Sequence, residues 1–500
     1  MLKNGRGFNQ VIIMIFLTLL IQIVMLLINS ITAAKFGASI GLDSYNLSKN
    51  ISNFIFGLVG TAITTIIIPN LSKDKLGNKG LNTFITVIYI LMTFMMILVF
   101  FFKKYLIFII SGNSEQIFID STQIILNIIL ISYYFLSFSN VLIAVYQVRN
   151  KFNFIKLVQL ISNLIVLLLL YFIKDISITK YSLFIGIGNI TNFIILLLGF
   201  KNMGYDYRVE LQLKNKEFKK MIKNLIPILF AAGIYQISLM IDTMLVTREG
   251  DGFLSILSYS TNIVGMISTL FIGNLVMYVY PKLALKMAQK DGAAERLYSK
   301  YLIYIIALMV LLVVGFLVIG KEFIMLLLQR GKFTVDETNM VYIATSLYII
   351  SLPFSAARDI SYRYFYSNND TRTPFKNSLK ITILNVSLSI LLAKYLGLNG
   401  VVLGTTISSI FSAILIKMKL KKEFKINFLK DSFQELSIIL IAGIIVYIFG
   451  KMIVYSLEGQ NIILRMGIST LLISIFYLCT LLIFRFKPLI DLRKEVKIQF

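Results

Sequence analysis

Apolar blocks of about twenty residues alternate with short polar stretches along the whole chain, and twenty residues at 1.5 Å each span a hydrocarbon core of roughly 30 Å. The blocks predict helices at about 10–34, 50–72, 83–102, 121–147, 157–173, 181–200, 225–247, 253–281, 301–320, 338–366, 377–396, 398–416, 436–455 and 463–484. The fold class is therefore all-α integral membrane with about fourteen transmembrane helices. The first block is too long for the apolar region of a cleaved signal peptide and is read as a retained helix.

Lysine and arginine concentrate in alternate loops, which places the heavily basic loops and both termini on the cytoplasmic side of a bacterial plasma membrane. The basic loop 201–224 divides the chain into an N-terminal six-helix lobe (1–200) and a C-terminal six-helix lobe (225–416). A second basic loop opens a C-terminal two-helix extension (417–500). The lobes share a pattern. Lys49-Asn50-Ile51 through Pro69-Asn70-Leu71 aligns with Thr261-Asn262-Ile263 through Pro281-Lys282-Leu283 at an offset of 212 throughout, Gln22-Ile23 matches Gln236-Ile237, and Tyr146 and Lys156 match Tyr366 and Lys376. An even number of helices per copy gives the copies one orientation and a pseudo-twofold axis along the membrane normal.

Composition narrows the chemistry. With 57% hydrophobic residues the chain exceeds the roughly 45–50% of a soluble domain. The net charge of +25 could suggest nucleic acid, but the cations sit in short loops between spans, where they meet anionic lipid instead. There is no histidine, and Cys479 is the only cysteine, so intrachain disulfides, thiolate metal clusters and Ser-His or Cys-His catalytic pairs are excluded.

Polar residues inside spans face protein or water, and two helices carry most of them. The second predicted helix holds Asn50, Asn53, Gly57, Gly60, Thr61, Thr64 and Thr65; the eighth holds Ser258, Tyr259, Thr261, Asn262, Ser268, Thr269, Gly273 and Asn274. Both are candidates to line a central cavity, with interhelical packing as the alternative. Asp242 is the acid set deepest in a predicted span, where an ionised carboxylate costs roughly 2.5–3.5 kcal/mol on insertion scales unless a cation or hydrogen bonds offset it. It suits cation or proton coupling; an ion pair with Arg248 is the structural alternative. Arg358, Asp359 and Arg363 form a local charge cluster, and Lys35, Asp43 and Lys49 bracket the outer junction of the first two helices.

Four segments resemble the lipid II flippase family (MurJ/MviN type) of the multidrug/oligosaccharidyl-lipid/polysaccharide exporter superfamily. They are Ala34-Lys-Phe-Gly-Ala-Ser39 leading to Asp43, Gln236-Ile-Ser-Leu-Met-Ile-Asp242-Thr, Arg330-Gly-Lys-Phe-Thr334, and Tyr366-Ser-Asn-Asn-Asp-Thr-Arg-Thr-Pro374. The resemblance implies fourteen helices and alternating access of two lobes, moving an undecaprenyl-diphosphate-linked sugar from the inner to the outer leaflet. It also implies that Asp43 matches a cavity acid, and that Asp242, Asn385, the Val401 carbonyl and Thr405 match a sodium site of some members. Hard cations favour such oxygen ligands. Ser389 stands where that site would have an aspartate. Cavity arginines of the family are replaced by Gln22, Ile28, Phe56 and Asn262, and a cavity glutamate by Gly265, so the charge for a diphosphate would come from Lys35, Lys49 or Arg358.

The expectation is a flippase for lipid II in peptidoglycan and cell-wall biogenesis, not an enzyme, without a cofactor beyond Na+ or H+ as coupling ion, and with membrane lipids and cell-wall synthesis enzymes as partners. The substrate-cavity candidates are Gln22, Lys35, Asp43, Lys49, Asn50, Asn53, Asn262 and Arg358. Rivals are a flippase for a capsule, teichoic or O-antigen type repeat unit, a drug/cation antiporter, and a membrane glycan polymerase. The polymerase needs a catalytic acid over a large outer cleft, whereas Glu115, Asp120, Asp175, Asp251 and Asp336 are scattered among short loops. Topology is checked with single cysteines introduced into 201–224, which are expected to react with an impermeant thiol reagent only from the cytoplasmic side.

Overall fold

A computed structural model describes residues 5–71, 79–112, 115–200, 207–274, 293–368, 370–426 and 432–489, with single positions between some of these. All regular structure among the described residues is helical. In chain order the helices are α1 (Gly5–Phe36), α2 (Ile40–Leu71), α3 (Lys79–Ser111), α4 (Gln116–Val148), α5 (Phe152–Phe172), α6 (Ile178–Phe200), α7 (Lys216–Thr247) and α8 (Phe253–Ile267), which runs into a π-helical turn, Ser268–Gly273. They continue with α9 (Ala293–Leu328), α10 (Val335–Ile349), α11 (Leu352–Ser367), α12 (Arg372–Phe424), α13 (Phe433–Ser456) and α14 (Ile462–Ile483). Eleven segments among the described residues are long and apolar enough to cross a membrane, with α10 and α11 forming one of them. Large apolar side chains such as Phe101 (74% exposed) and Leu198 (74%) cover their outer faces, as hydrocarbon rather than water requires.

Several helices outrun the apolar blocks that predict them. With 33 residues α3 reaches about 50 Å, because Lys103 and Lys104 continue the helix past its uncharged core. Their long stems carry charge away from hydrocarbon, and the Lys103 ammonium donates to Asn127 Oδ1 at 2.8 Å. The single helix expected at 338–366 is two. Its break falls at Ile350 and Ser351, ahead of Pro353 in the first turn of α11, where the missing N–H and ring sterics disfavour unbroken helix. The helices expected at 377–396 and 398–416 are the two halves of α12, which meet at Gly397, where the backbone leaves helical geometry (φ 54°, ψ −134°).

Helix ends follow local chemistry. Asn215 Oδ1 accepts the amides of Glu217 and Phe218 to start α7. Thr334 and Glu337 form a reciprocal capping box at α10. Asp370 accepts the amides of Arg372 and Thr373 at the start of α12. Burial is the largest single influence and pushes its pKa up, but the Thr373 hydroxyl, these amide hydrogen bonds and the nearby Arg372 together prevail and hold the carboxyl below the ordinary carboxylate value.

The chain forms two compact units, residues 1–255 with 331–333, and 256–330 with 334–500. In the first, α2 runs parallel to α4, with Ser44 and Ser48 hydroxyls donating to the carbonyls of Phe118 and Thr122 at 3.5 and 3.3 Å. Asn189 on α6 donates to Ser132 on α4 (3.3 Å), and Tyr146 to the Leu196 carbonyl (2.9 Å). Helix α7 belongs to this unit through α2 and α3. In the second unit, α9 is the central post: Tyr298 meets Ser361 on α11 at 2.8 Å, and Tyr477 on α14 donates to the Ala307 carbonyl at 2.9 Å. The halves of α12 return on one another as an antiparallel hairpin. Asn377 donates to Ser412 at 3.0 Å, and a Cβ at Gly400 would lie 2.2 Å from the Leu392 carbonyl oxygen.

Two of the sequence segments meet in the first unit. The Lys332 amide donates to the Ala34 carbonyl at 2.9 Å, and Gly331 (φ 60°) approaches so closely that a Cβ would lie 2.2 Å from that oxygen. Only glycine combines this conformation with this approach. Gly331→Ala is expected to cost about 2–4 kcal/mol through left-handed strain and overpacking. A lowered unfolding midpoint in detergent checks this, against Gly467→Ala, where a Cβ meets nothing within 4 Å, as the neutral control.

Candidate transport site

Polar residues on α2 recur at Asp43, Asn46, Asn50 and Asn53, a three- and four-residue spacing that puts them on one stripe of the helix. The stripe runs antiparallel to α7. The Asn50 amide donates to Thr243 Oγ1 at 3.0 Å, and farther along a Cβ at Gly57 would lie 3.5 Å from the Gln236 amide nitrogen. Packing and polarity therefore occupy the same face of α2. The side chains of Thr61, Thr64 and Thr65 lie outside the described residues.

At the top of the stripe Asp43 is 3% exposed and saturated with donors. Its Oδ2 accepts the Gly252 amide at 2.6 Å, and its Oδ1 accepts the Ser255 amide at 2.7 Å and the Ser255 hydroxyl at 2.5 Å. These are donors at the start of α8, so the carboxylate caps that helix from a neighbouring one and meets the positive end of its dipole. Asn46 adds a bond to the Ser255 hydroxyl at 3.3 Å. Ser255 is the partner that the sequence did not single out, although its distance of 212 residues from Asp43 is the offset of the internal repeat.

Cations near the stripe have different fates. Lys35, at the end of α1, donates to the Lys174 carbonyl at 3.0 Å and reaches toward that of Ile173 at 3.5 Å, which ties it to the C-terminal end of α5. Lys49 is half-buried and has no acid or hydrogen-bond acceptor among the described residues. Asn53, one turn on, is exposed on the same side of α2. Gln22 is half-buried on α1. Ile28 and Phe56, where the resemblance calls for arginine, are 7% and 2% exposed, and Phe56 packs edge-on against Tyr134 at 6.1 Å. Asp242 is buried on α7 beside Thr243. Arg248 donates instead to the carbonyls of Ile109 and Ile110 at 2.6 and 3.2 Å, closing the end of α3.

In the second unit, Asn385, Val401 and Thr405 converge across the α12 hairpin. Asn385 Oδ1 accepts from Ser389 at 3.1 Å and lies 3.5 Å from the Thr405 hydroxyl, which is 3.3 Å from the Val401 carbonyl. Four oxygen-bearing groups thus share one locus, a donor set that suits a hard cation. Asn262 is half-buried on α8. Arg358 pairs with Asp359 at 2.8 Å, the local ion pair expected from their adjacency. The sequence missed a second charge pair, which is half-buried. Glu322 on α9 meets Arg465 on α14 at 3.1 Å. Glu322 lies past the predicted end of its helix, and only packing shows it half-buried against α14.

The family model described as "Lipid II flippase MurJ" matches residues 32–458. A protein of Rickettsia prowazekii named "Probable lipid II flippase MurJ" is 22% identical over 84% of this chain and 85% of its own length. One of the same name from Borreliella burgdorferi is 25% identical over 81% and 82%. Among solved structures, "Lipid II flippase MurJ, inward closed conformation" superposes with a TM-score of 0.78 at 21% identity, covering 95% of this chain and 98% of that one. An inward-facing multidrug resistance MATE transporter gives 0.64 at 15% identity, covering 83% and 99%. The match over most of its length, on a bundle of membrane-spanning helices, places this chain in the lipid II flippase MurJ family, a family of bacterial inner-membrane carriers and not of enzymes.

Proposed function

We propose that this protein carries lipid II, the undecaprenyl-diphosphate-linked peptidoglycan precursor, from the inner to the outer leaflet by alternating access. The observation that carries the reading is Lys49, a half-buried cation beside the polar stripe of α2 with no anionic partner among the described residues. A cation held in a protein interior costs free energy until an anion joins it, so its selectivity runs toward phosphate rather than toward neutral cargo. Asn53 supplies an amide beside it. Lys35 contributes less to the headgroup, since α5 carbonyls already occupy its ammonium.

Fourteen crossings follow from the eleven apolar segments if α2 and α7 are added and the α12 hairpin counts as two. With the basic linker on the cytoplasmic side, both termini are cytoplasmic, and the lobes are those expected from the internal repeat. Coupling to sodium or protons is assigned to Asp242 in the first unit and to the oxygen cluster of Asn385, Val401 and Thr405 in the second.

Two experiments test this. In a flippase-depleted bacterium, expression of the chain is expected to clear lipid II from the inner leaflet, and Lys49→Gln to weaken lipid II binding about tenfold or more, the loss of one charge-assisted hydrogen bond. Lys35→Gln and a control pair at Lys394 and Lys451 are expected to change it little. Persistent inner-leaflet lipid II with folded wild-type protein would reject the cargo. Asp242→Asn is expected to abolish the sodium or pH dependence of transport in proteoliposomes while leaving the protein folded, and unchanged ion dependence refutes the coupling role.

A further inference from the structure

The linker between α6 and α7 is strapped to the protein. Past α6 the chain runs without helical turns from Tyr207 to Gln212 along the first turns of α3, and amides two residues apart, those of Glu210 and Gln212, both face that helix, the period of extended backbone. Tyr205 donates to Asn82 Oδ1 at 2.7 Å, the Tyr207 hydroxyl lies 2.9 Å from that of Thr86, and the amides of Glu210 and Gln212 donate to Thr86 and Thr83 at 3.3 and 3.1 Å. Asn82 and Thr83 are 2% and 0% exposed, so this is a built-in seam.

Side chains of extended backbone alternate between faces. Val209 and Leu211 therefore share one, Leu213 follows in the turn that leads into α7, and the three are 76%, 59% and 56% exposed. The seam sits where α3 begins its uncharged run, from Gly80 to Phe102, and so at the edge of the hydrocarbon. Immediately after it come Lys214, Lys216, Lys219 and Lys220, all exposed. An apolar comb backed by a row of cations at that depth matches one partner in both polarity and charge. We propose that residues 207–220 form an interfacial anchor, in which Val209, Leu211 and Leu213 enter the acyl boundary of the adjoining leaflet while the four lysines contact anionic phospholipid headgroups. Because the strap is tied to α3 and leads directly into α7, it holds the link between these helices at a fixed depth.

The test uses full-length protein in a Cys479→Ser background, in nanodiscs of phosphatidylcholine alone or with phosphatidylglycerol. Single cysteines at positions 208 to 213 carry a small fluorophore. In the anionic discs, iodide quenching is expected to be about threefold weaker at 209, 211 and 213 than at 208, 210 and 212, and quenching by shallow doxyl-labelled lipid correspondingly stronger. The contrast is expected to fade in the neutral discs, or when the four lysines are changed to glutamine. Uniform access of iodide to all six positions overturns the anchor, as would be found if the comb served a protein absent from the discs. A contrast indifferent to lipid charge and to the lysines overturns recognition of anionic headgroups.

Discussion

Hydrocarbon offers no hydrogen bonds, so the polar groups that this chain carries into the bilayer draw most of their partners from within the chain. Short hydroxyls do so on their own helix. Thr32 bonds the carbonyl of Ile28, Thr122 that of Phe118 and Ser162 that of Val158, each four residues back. Longer groups need a neighbouring helix, and so they fix which helices touch. Tyr146 ties α4 to α6 and Tyr477 ties α14 to α9 through backbone carbonyls that have a second lone pair to give. Full charges need most. Asp43 gathers three donors, Arg248 takes two carbonyls, and Glu322 and Arg465 take each other.

Against that rule, a few groups keep the capacity to take a further partner. On α2 the same stripe holds Asp43, satisfied by the start of α8, and Asn50, satisfied by α7, while Lys49 stands one position aside among neighbours that offer it no anion. A helix built this way is anchored by its polar residues and still presents a cation. That combination suits a carrier whose cargo has a charged head and an apolar tail, because the head needs a compensating charge for only part of its journey. Asn385, Ser389, Val401 and Thr405 cluster by a different route: their oxygen atoms meet across the turn at Gly397 through mutual hydrogen bonds of 3.1 to 3.5 Å.

The sequence by itself determined the features that solvent and chirality dictate. Blocks of apolar residues had to become helices, the lysine-rich loops had to stay outside the hydrocarbon, and the lack of histidine closed off whole classes of chemistry. Turns were legible too, since the boundary near residue 397 coincides with a glycine at positive φ. The polar character of α2 could be read because asparagine inside a span has few reasons to be there. Helix ends were read poorly at α3 and α9, since a charged residue such as Lys103 or Glu322 can extend a helix when its head finds a partner, and that depends on a neighbour far away in sequence.

Only the tertiary structure decided which partner each polar group takes. Lys35 and Lys49 look alike in the sequence, yet one is spent on the end of α5 and the other is not. Arg248 could have answered Asp242 and instead closes α3. Asp43 became a helix cap only because residue 255 lies beside it. Helix formation is local, so the pattern along the chain dictates it; pairing across helices depends on packing that brings residues two hundred positions apart within 3 Å, and no pattern along the chain records that distance.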